Sequence, residues 1–264
     1  MSSPSGALKI TVLGSGTSVG VPTIACHCAV CQSSDPRDTR LRPSVLFTYN
    51  GRNVIIDTTP DFRTQVLRAR VDRLDAIIYT HEHADHILGL DDVRPFNYRQ
   101  GVIPVYGSEA TLEALRRCFP YCFDGIASES SIPKIKCYTI REEAFDLFGV
   151  LVQPVVLRHG SGSVLGFRIG AAAYLTDHSE IPEDSLRLLR GLDVLFLDAL
   201  RRRPHPTHTT VERALEYVEL LAPKRAFFTH ICHELAHEET QRTLPSHVRL
   251  AEDGLEILVE EPRK

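Results

Sequence analysis

The 264-residue sequence lacks any apolar run of the ~18–20 residues that a membrane span needs. Its opening residues, Met-Ser-Ser-Pro-Ser-Gly-Ala, lack the basic stretch and apolar run of a secretion signal, so a cytoplasmic protein without a membrane partner is expected. It lacks an excess of basic charge as well: 30 Lys and Arg against 34 Asp and Glu leave a net charge of -4 with histidines neutral. A surface built throughout to attract nucleic acid is thereby disfavoured, although a local basic pocket for one phosphate is not. There is no internal repeat, low-complexity tract or long linker. A disulfide framework is not legible either. The seven cysteines are an odd number, and Cys26, Cys28 and Cys31 are bunched together, a pattern that favours metal or free thiols. A chain of this length buries roughly 70–75% of its unfolded surface and needs no cross-links to support a core.

What the sequence does have is histidine, 12 in all, and a recurrent placement of polar residues beside predicted strands. Strands are expected over 9–13, 76–80, 103–107, 193–198 and 225–229. A hairpin over 44–49 and 53–58 is expected around Asn50-Gly51, a strong turn signal. The β-rich stretch 132–175 reads as several strands. Helices are expected over 61–71 and 109–118, the latter capped by Ser108. Another should start near Pro182 and end before Gly191. A further one should open with the capping box Thr209-x-x-Glu212 and run to about Leu221, with Val211, Leu215, Val218 and Leu221 as its apolar stripe. A C-terminal hairpin is expected around Glu252-Asp253-Gly254. Strands first, then strand–helix alternation in each half, suggests two packed sheets with helices outside. Asp57, His81, His159, Asp177 and His230 each fall just past a predicted strand, where a rigid sheet carries functional side chains on loops.

The densest signal is His81-Glu82-His83-Ala84-Asp85-His86, three imidazoles and two carboxylates in six residues. A regular helix would separate His81 and His83 by about 200°. The segment is therefore expected to be a turn, or a turn entering a helix, folded around a common point. Imidazole with carboxylate suits zinc, manganese or iron.

His-x-His-x-Asp-His after a strand resembles the signature of the metallo-β-lactamase fold. The resemblance extends through Thr-Val-Leu-Gly-Ser-Gly-Thr (11–17), Ile-Ile-Asp57, His159, Leu175-Thr176-Asp177 and Thr229-His230. It implies an α/β, four-layer αββα sandwich forming a single domain over residues 1–264. It further implies two divalent ions, zinc or manganese. His81, His83 and His159 would hold one, Asp85, His86 and His230 the other, and Asp177 would bridge them. Within that superfamily the chain is similar to the PhnP-type phosphodiesterases, with ribonuclease Z more distant. Gly20-Val21-Pro22 followed by Cys26-x-Cys28-x-x-Cys31, then Pro206-Thr207-His208, then Thr229-His230-Ile231-Cys232-His233 carry this likeness. By that likeness Cys26, Cys28, Cys31 and His233 would hold one structural zinc stapling the loop over about 20–43. The other four cysteines read as core or incidental thiols.

The expected reaction is hydrolysis of a small or cyclic phosphodiester, with a metal-bridging hydroxide attacking phosphorus. Asp85 could orient that hydroxide. His208 is the candidate general acid for the leaving oxygen, with His205 a competitor three residues away. Asp57 is expected to orient a ligand histidine. Arg94 and Arg201-Arg202-Arg203 could reach phosphate, though a solvated surface run is the plainer reading. A possible homodimer is implied by relatives. Three alternatives stay open: a glyoxalase II-like thioesterase, a ribonuclease Z-like nuclease, and a non-catalytic metal-binding accessory protein. A nucleic-acid partner is disfavoured because no insertion as long as the tRNA-binding arm of ribonuclease Z is visible. Residues 141–150 and 178–181 do not match the specificity for small cyclic ribose phosphates that the PhnP-type resemblance implies.

Overall fold

A computed structural model describes residues 7–124 and 131–260. In chain order the strands are β1 (Ala7–Gly14), β2 (Ser44–Tyr49), β3 (Arg52–Ile56), β4 (Ala76–Ile78), β5 (Ile103–Gly107), β6 (Ile135–Thr139) and β7 (Phe145–Leu147). They continue with β8 (Val150–His159), β9 (Gly162–Ile169), β10 (Ala172–Leu175), β11 (Val194–Asp198), β12 (Arg225–Thr229), β13 (Val248–Leu250) and β14 (Glu256–Glu260). They form two seven-stranded sheets, ordered β14-β1-β2-β3-β4-β5-β6 and β13-β12-β11-β10-β9-β8-β7.

Each sheet buries both faces, and side-chain alternation sorts its residues between them. In the first sheet, Val54, Ile56 and Ile78 point inward to a core shared with Phe167, Tyr174, Val194, Phe196 and Phe227 of the second. Ile55, Ile77 and Val105 point outward against three helices, α1 (Phe62–Arg68), α3 (Arg94–Gln100) and α4 (Glu109–Cys118). The short α2 (Ala84–Ile87) lies between α1 and α3 in the chain. In the second sheet Leu195, Leu197, Ala226 and Phe228 point outward, where α5 (Glu183–Leu188), α6 (Val211–Leu221) and α7 (His237–Gln241) follow in the chain and α6 supplies Val211, Ala214, Tyr217 and Val218. The result is the αββα sandwich.

Two local expectations are corrected. The C-terminal hairpin does not exist: β13 pairs parallel with β12 in one sheet, while β14 pairs antiparallel with β1 in the other, so the 252–254 turn crosses between sheets. The cap of α6 is Thr210, which accepts from the Arg213 amide. Thr209 is occupied elsewhere, donating its hydroxyl to the His178 carbonyl at 2.6 Å. The α5 helix lies where expected, with Pro182 as its cap and its end before Gly191.

β3-β4-β5-β6 and β10-β11-β12-β13 are parallel runs. Their C-terminal ends place Asp57, His81, Asp177, Asp198 and His230 along one edge of the sandwich, the usual location for a site on such sheets. The loop after β1 must pass close to the chain there. A Cβ on Gly14 would overlap the Arg42 carbonyl oxygen, which explains glycine at that position.

Candidate metal centre and its acid–base neighbours

His81 follows β4, and His81–His83 form a turn that enters α2 with His83 as its cap. That turn folds the imidazoles together: His81 Nε2 lies 2.9 Å from His83 Nδ1. His159, the last residue of β8, completes a group whose ligand atoms all lie within 4.8 Å of one another. Asp85 and His86 of α2 meet Asp177, just past β10, and His230, just past β12, in a second group of the same tightness. Asp177 belongs to a further group with His159 and His208, so it stands between the two. All seven predicted active-site residues are therefore brought together.

Neighbouring groups fix how the rings face. His86 Nδ1 donates to Asp57 Oδ2 at 2.7 Å, and Asp57 also accepts from the amide and hydroxyl of Thr80 at 2.9 and 2.8 Å. The Thr80 hydroxyl oxygen, 3.0 Å away, accepts from His81 Nδ1. His159 Nδ1 donates to the Thr207 carbonyl at 2.9 Å. Each bond commits one ring nitrogen outward and leaves Nε2 as a lone pair facing the cluster, the arrangement ligand histidines require.

The contacts within the group bear on its fit to a cation. His86 Nε2 lies 3.2 Å from Asp85 Oδ2 and 3.4 Å from Asp177 Oδ1, and His230 Nε2 lies 3.0 Å from Asp177 Oδ2. Yet Asp85 Oδ2, His86 Nε2 and His230 Nε2 are buried and make no hydrogen bond. Acceptors converge on one point without a donor, which is costly unless a positive charge sits among them. The titration behaviour agrees. Burial pushes the Asp177 carboxyl up, but His230 and His86 outweigh it and hold it well below the usual range. Burial pushes His230 down, and Asp177 beside it brings it up to about 9. His81 is pushed well below its ordinary value by burial and by the His86 charge, so it is a neutral donor. The residues fit divalent metal.

Asp57, Asp177 and His230 all adopt left-handed backbone, with φ of 67°, 53° and 58°. Such residues cost about 1–2 kcal/mol each and concentrate at functional sites.

His208 sits beside the centre with its side chain 11% exposed. Its ring stacks on His230 (4.5 Å between centroids, 17°) and meets His159 edge-on at 5.0 Å. Its Nδ1 donates to Asp198 Oδ2 at 2.7 Å. Asp198 ends β11, is fully buried, and also accepts from the His178 amide at 3.0 Å. Sequence reasoning missed Asp198, although it carries the same signal as the others, a charged residue at a strand end. His205 lies 5.0 Å from His208 by ring centroid, but its Nδ1 is turned to the Thr207 hydroxyl at 3.1 Å.

The arginines follow the plainer reading, a surface run. Arg201 and Arg203 both pair with Glu234, Arg202 pairs with Glu212, and Arg94 pairs with Asp91. They are tied to carboxylates, not presented to a phosphate.

Cys26, Cys28 and Cys31 present sulfur 3.1, 3.5 and 3.4 Å from His233 Nδ1. All four ligand atoms lie within 4.8 Å of one another. The Cys31 amide donates to Cys28 Sγ, and this bond lowers the Cys28 thiol to about 6. Burial raises Cys31 to about 11. A Cys₃His set with an amide already aimed at sulfur suits closed tetrahedral zinc.

Residues 52–231 match the β-lactamase superfamily domain. The chain is similar to a solved diphosphatase from the PhnP family, at 51% identity and a TM-score of 0.91, covering 97% of this chain and 98% of that one. It is 36% identical to an octanoyltransferase of Porphyromonas gingivalis over 96% of this chain and 52% of the relative. It is 28% identical to a ribonuclease Z of Bradyrhizobium diazoefficiens over 48% of this chain and 49% of the relative. The chain thus spans about half the length of the octanoyltransferase and aligns with about half of the ribonuclease Z. Among the described residues no helix is long and apolar enough to cross a membrane.

Proposed function

Because the chain belongs to the PhnP family of the metallo-β-lactamase superfamily, we propose that it is a dinuclear metal-dependent hydrolase that cleaves a small phosphodiester. His81, His83 and His159 would hold one ion, Asp85, His86 and His230 the other, with Asp177 shared. Two divalent ions so held supply Lewis-acid charge for phosphate oxygens and lower the pKa of water toward neutrality.

The protein's own groups do the rest. Asp57 and the Thr207 carbonyl hold ligand rings in register, which keeps the reacting phosphorus at a fixed place. Asp85 orients the attacking water. His208, with Nδ1 committed to Asp198, carries its transferable proton on Nε2 and gives it to the leaving oxygen. The observation that carries this reading is that buried dyad beside the Asp177 cluster: an alkoxide leaving from phosphorus needs a proton, and a thiolate does not. It favours a phosphodiester over the thioester of a glyoxalase II-like enzyme.

A second reading is supported by the 51% identical diphosphatase. A diphosphate would place the same phosphoryl chemistry at the same site, with phosphate as the leaving group. The octanoyltransferase relative is about twice the length of this chain.

The test is a substrate panel with the zinc- or manganese-loaded protein: bis-p-nitrophenyl phosphate, an alkyl phosphodiester, a nucleoside diphosphate derivative and S-lactoylglutathione. Turnover of the phosphodiesters is expected. Turnover of the thioester alone would overturn the reading, and turnover of the diphosphate alone would select the second.

A further inference from the structure

Asp198 uses only half of its carboxylate on His208. Oδ2 takes His208 Nδ1 and the His178 amide, while Oδ1 is buried and has no partner. On the other side of the same cluster His230 is equally incomplete. Its Nε2 faces Asp177 at 3.0 Å, and its Nδ1 is buried with no partner. A carboxylate oxygen of Asp198 and a ring nitrogen each of His208 and His230 lie within 4.8 Å of one another, and the two rings stack 17° from parallel. A buried N–H without an acceptor and a buried carboxylate oxygen without a donor each carry a full desolvation cost, and one contact relieves both. If Nε2 of His230 is spent on a cation, Nδ1 carries the hydrogen and must find an acceptor.

We propose that Asp198 is a positioning residue for two histidines at once: one oxygen fixes His208, and the other takes the Nδ1 hydrogen of His230, directly or through one buried water. A single carboxylate then sets the acid and the metal-binding imidazole together. The stacked spacing of the two rings is the geometric consequence, since both are anchored to one group. This rests on the phosphodiesterase reading for the role of His208, but the link to His230 is tested without turnover.

The experiment is titration of the metal-free protein with Zn²⁺ alone, for wild type, Asp198→Asn and His208→Ala, with circular dichroism to confirm folding. Asp198→Asn is expected to weaken one active-site ion by about 10–100-fold, the usual effect of removing a ligand histidine's carboxylate partner. His208→Ala is expected to bind both ions as wild type does. Wild-type affinity for both ions in folded Asp198→Asn would overturn the proposal, whatever happens to activity. Should Asp198→Asn fail to fold, nitrogen-15 NMR of zinc-loaded wild type decides. A slowly exchanging, low-field His230 Nδ1 proton is expected, and its absence would overturn the link. Absence of any phosphodiesterase activity with the metal effect intact would refute the functional reading and leave the brace standing.

Discussion

Truncation of His208 tests the chemistry most directly. In the structure its ring is nearly buried, 11% exposed, and held at 2.7 Å by a fully buried carboxylate. Nothing else within its cluster can replace it as a donor to a leaving oxygen: in the proposed site His159, Asp177 and His230 would be metal ligands, and His205 Nδ1 is turned to Thr207. A positioned general acid contributes about 10²–10⁴-fold, or about 3–5 kcal/mol of barrier. His208→Ala should therefore reduce kcat/KM by that amount on an alkyl phosphodiester, whose alkoxide cannot leave unprotonated. On bis-p-nitrophenyl phosphate the leaving phenolate is stable as an anion, and the loss should stay below about tenfold. The assay is steady-state kinetics on both substrates with metal saturating, so that weakened metal binding does not intrude. Under those conditions Asp198→Asn should reproduce the same substrate selectivity in weaker form. The double variant should be no worse than His208→Ala, because the two residues act as a unit. Equal losses on both substrates would remove His208 from the acid role.

Two further outcomes are expected. Cys31→Ser should lower bound zinc by one equivalent per chain, read by metal analysis, and destabilise the fold by more than about 4 kcal/mol, the scale typical of a lost structural metal. His237 is pushed down to about 4, first by burial and then by the Arg40 guanidinium, which donates to its Nδ1 at 3.0 Å. Above pH 6.5 it is neutral in both states. As pH falls from 6.5 toward 4 the unfolded chain takes the proton first, so stability should drop by about 3 kcal/mol over that window. His237→Gln, whose amide oxygen can still accept from Arg40, should flatten the drop in urea denaturation at pH 7 and 4.5, and an unchanged slope would show that other groups set the acid limit.

Much of this layout is legible in the chain because the signals are local. Apolar runs such as Val54-Ile55-Ile56 and Val194 to Leu197 mark strands covered on both faces, and that is how they lie. The His81–His86 cluster is dense enough to announce itself, and a charged residue at the end of each strand marks the rest of the site. The same rule, applied consistently, includes Asp198, which holds the identical position at the end of β11. What the chain conceals is decided at long range. Asp253-Gly254 signals a turn, but only pairing between Lys9 and Leu258, nearly the whole chain apart, settles which sheet receives β14. Thr209 and Thr210 are chemically equal as caps. Thr209 loses the role because the His178 carbonyl claims its hydroxyl. The arginine run looks free until Glu234 and Glu212 are seen against it, and Arg94 until Asp91 is.

The backbone of the site explains why those residues needed a rigid frame. Asp57, Asp177 and His230 occupy a conformation that glycine would adopt freely, yet glycine has no carboxylate or imidazole to offer. Each pays a conformational cost of about 1–2 kcal/mol to turn its side chain sharply off the strand that precedes it. An isolated turn would relax. Here every one follows a strand buried on both faces, so relaxation would have to disturb packed core: Ile56 beside Asp57, Leu175 before Asp177, Phe228 before His230 are all fully buried. The sheets therefore supply the energy that holds these converging side chains close together, which is the preorganisation the proposed metal centre requires.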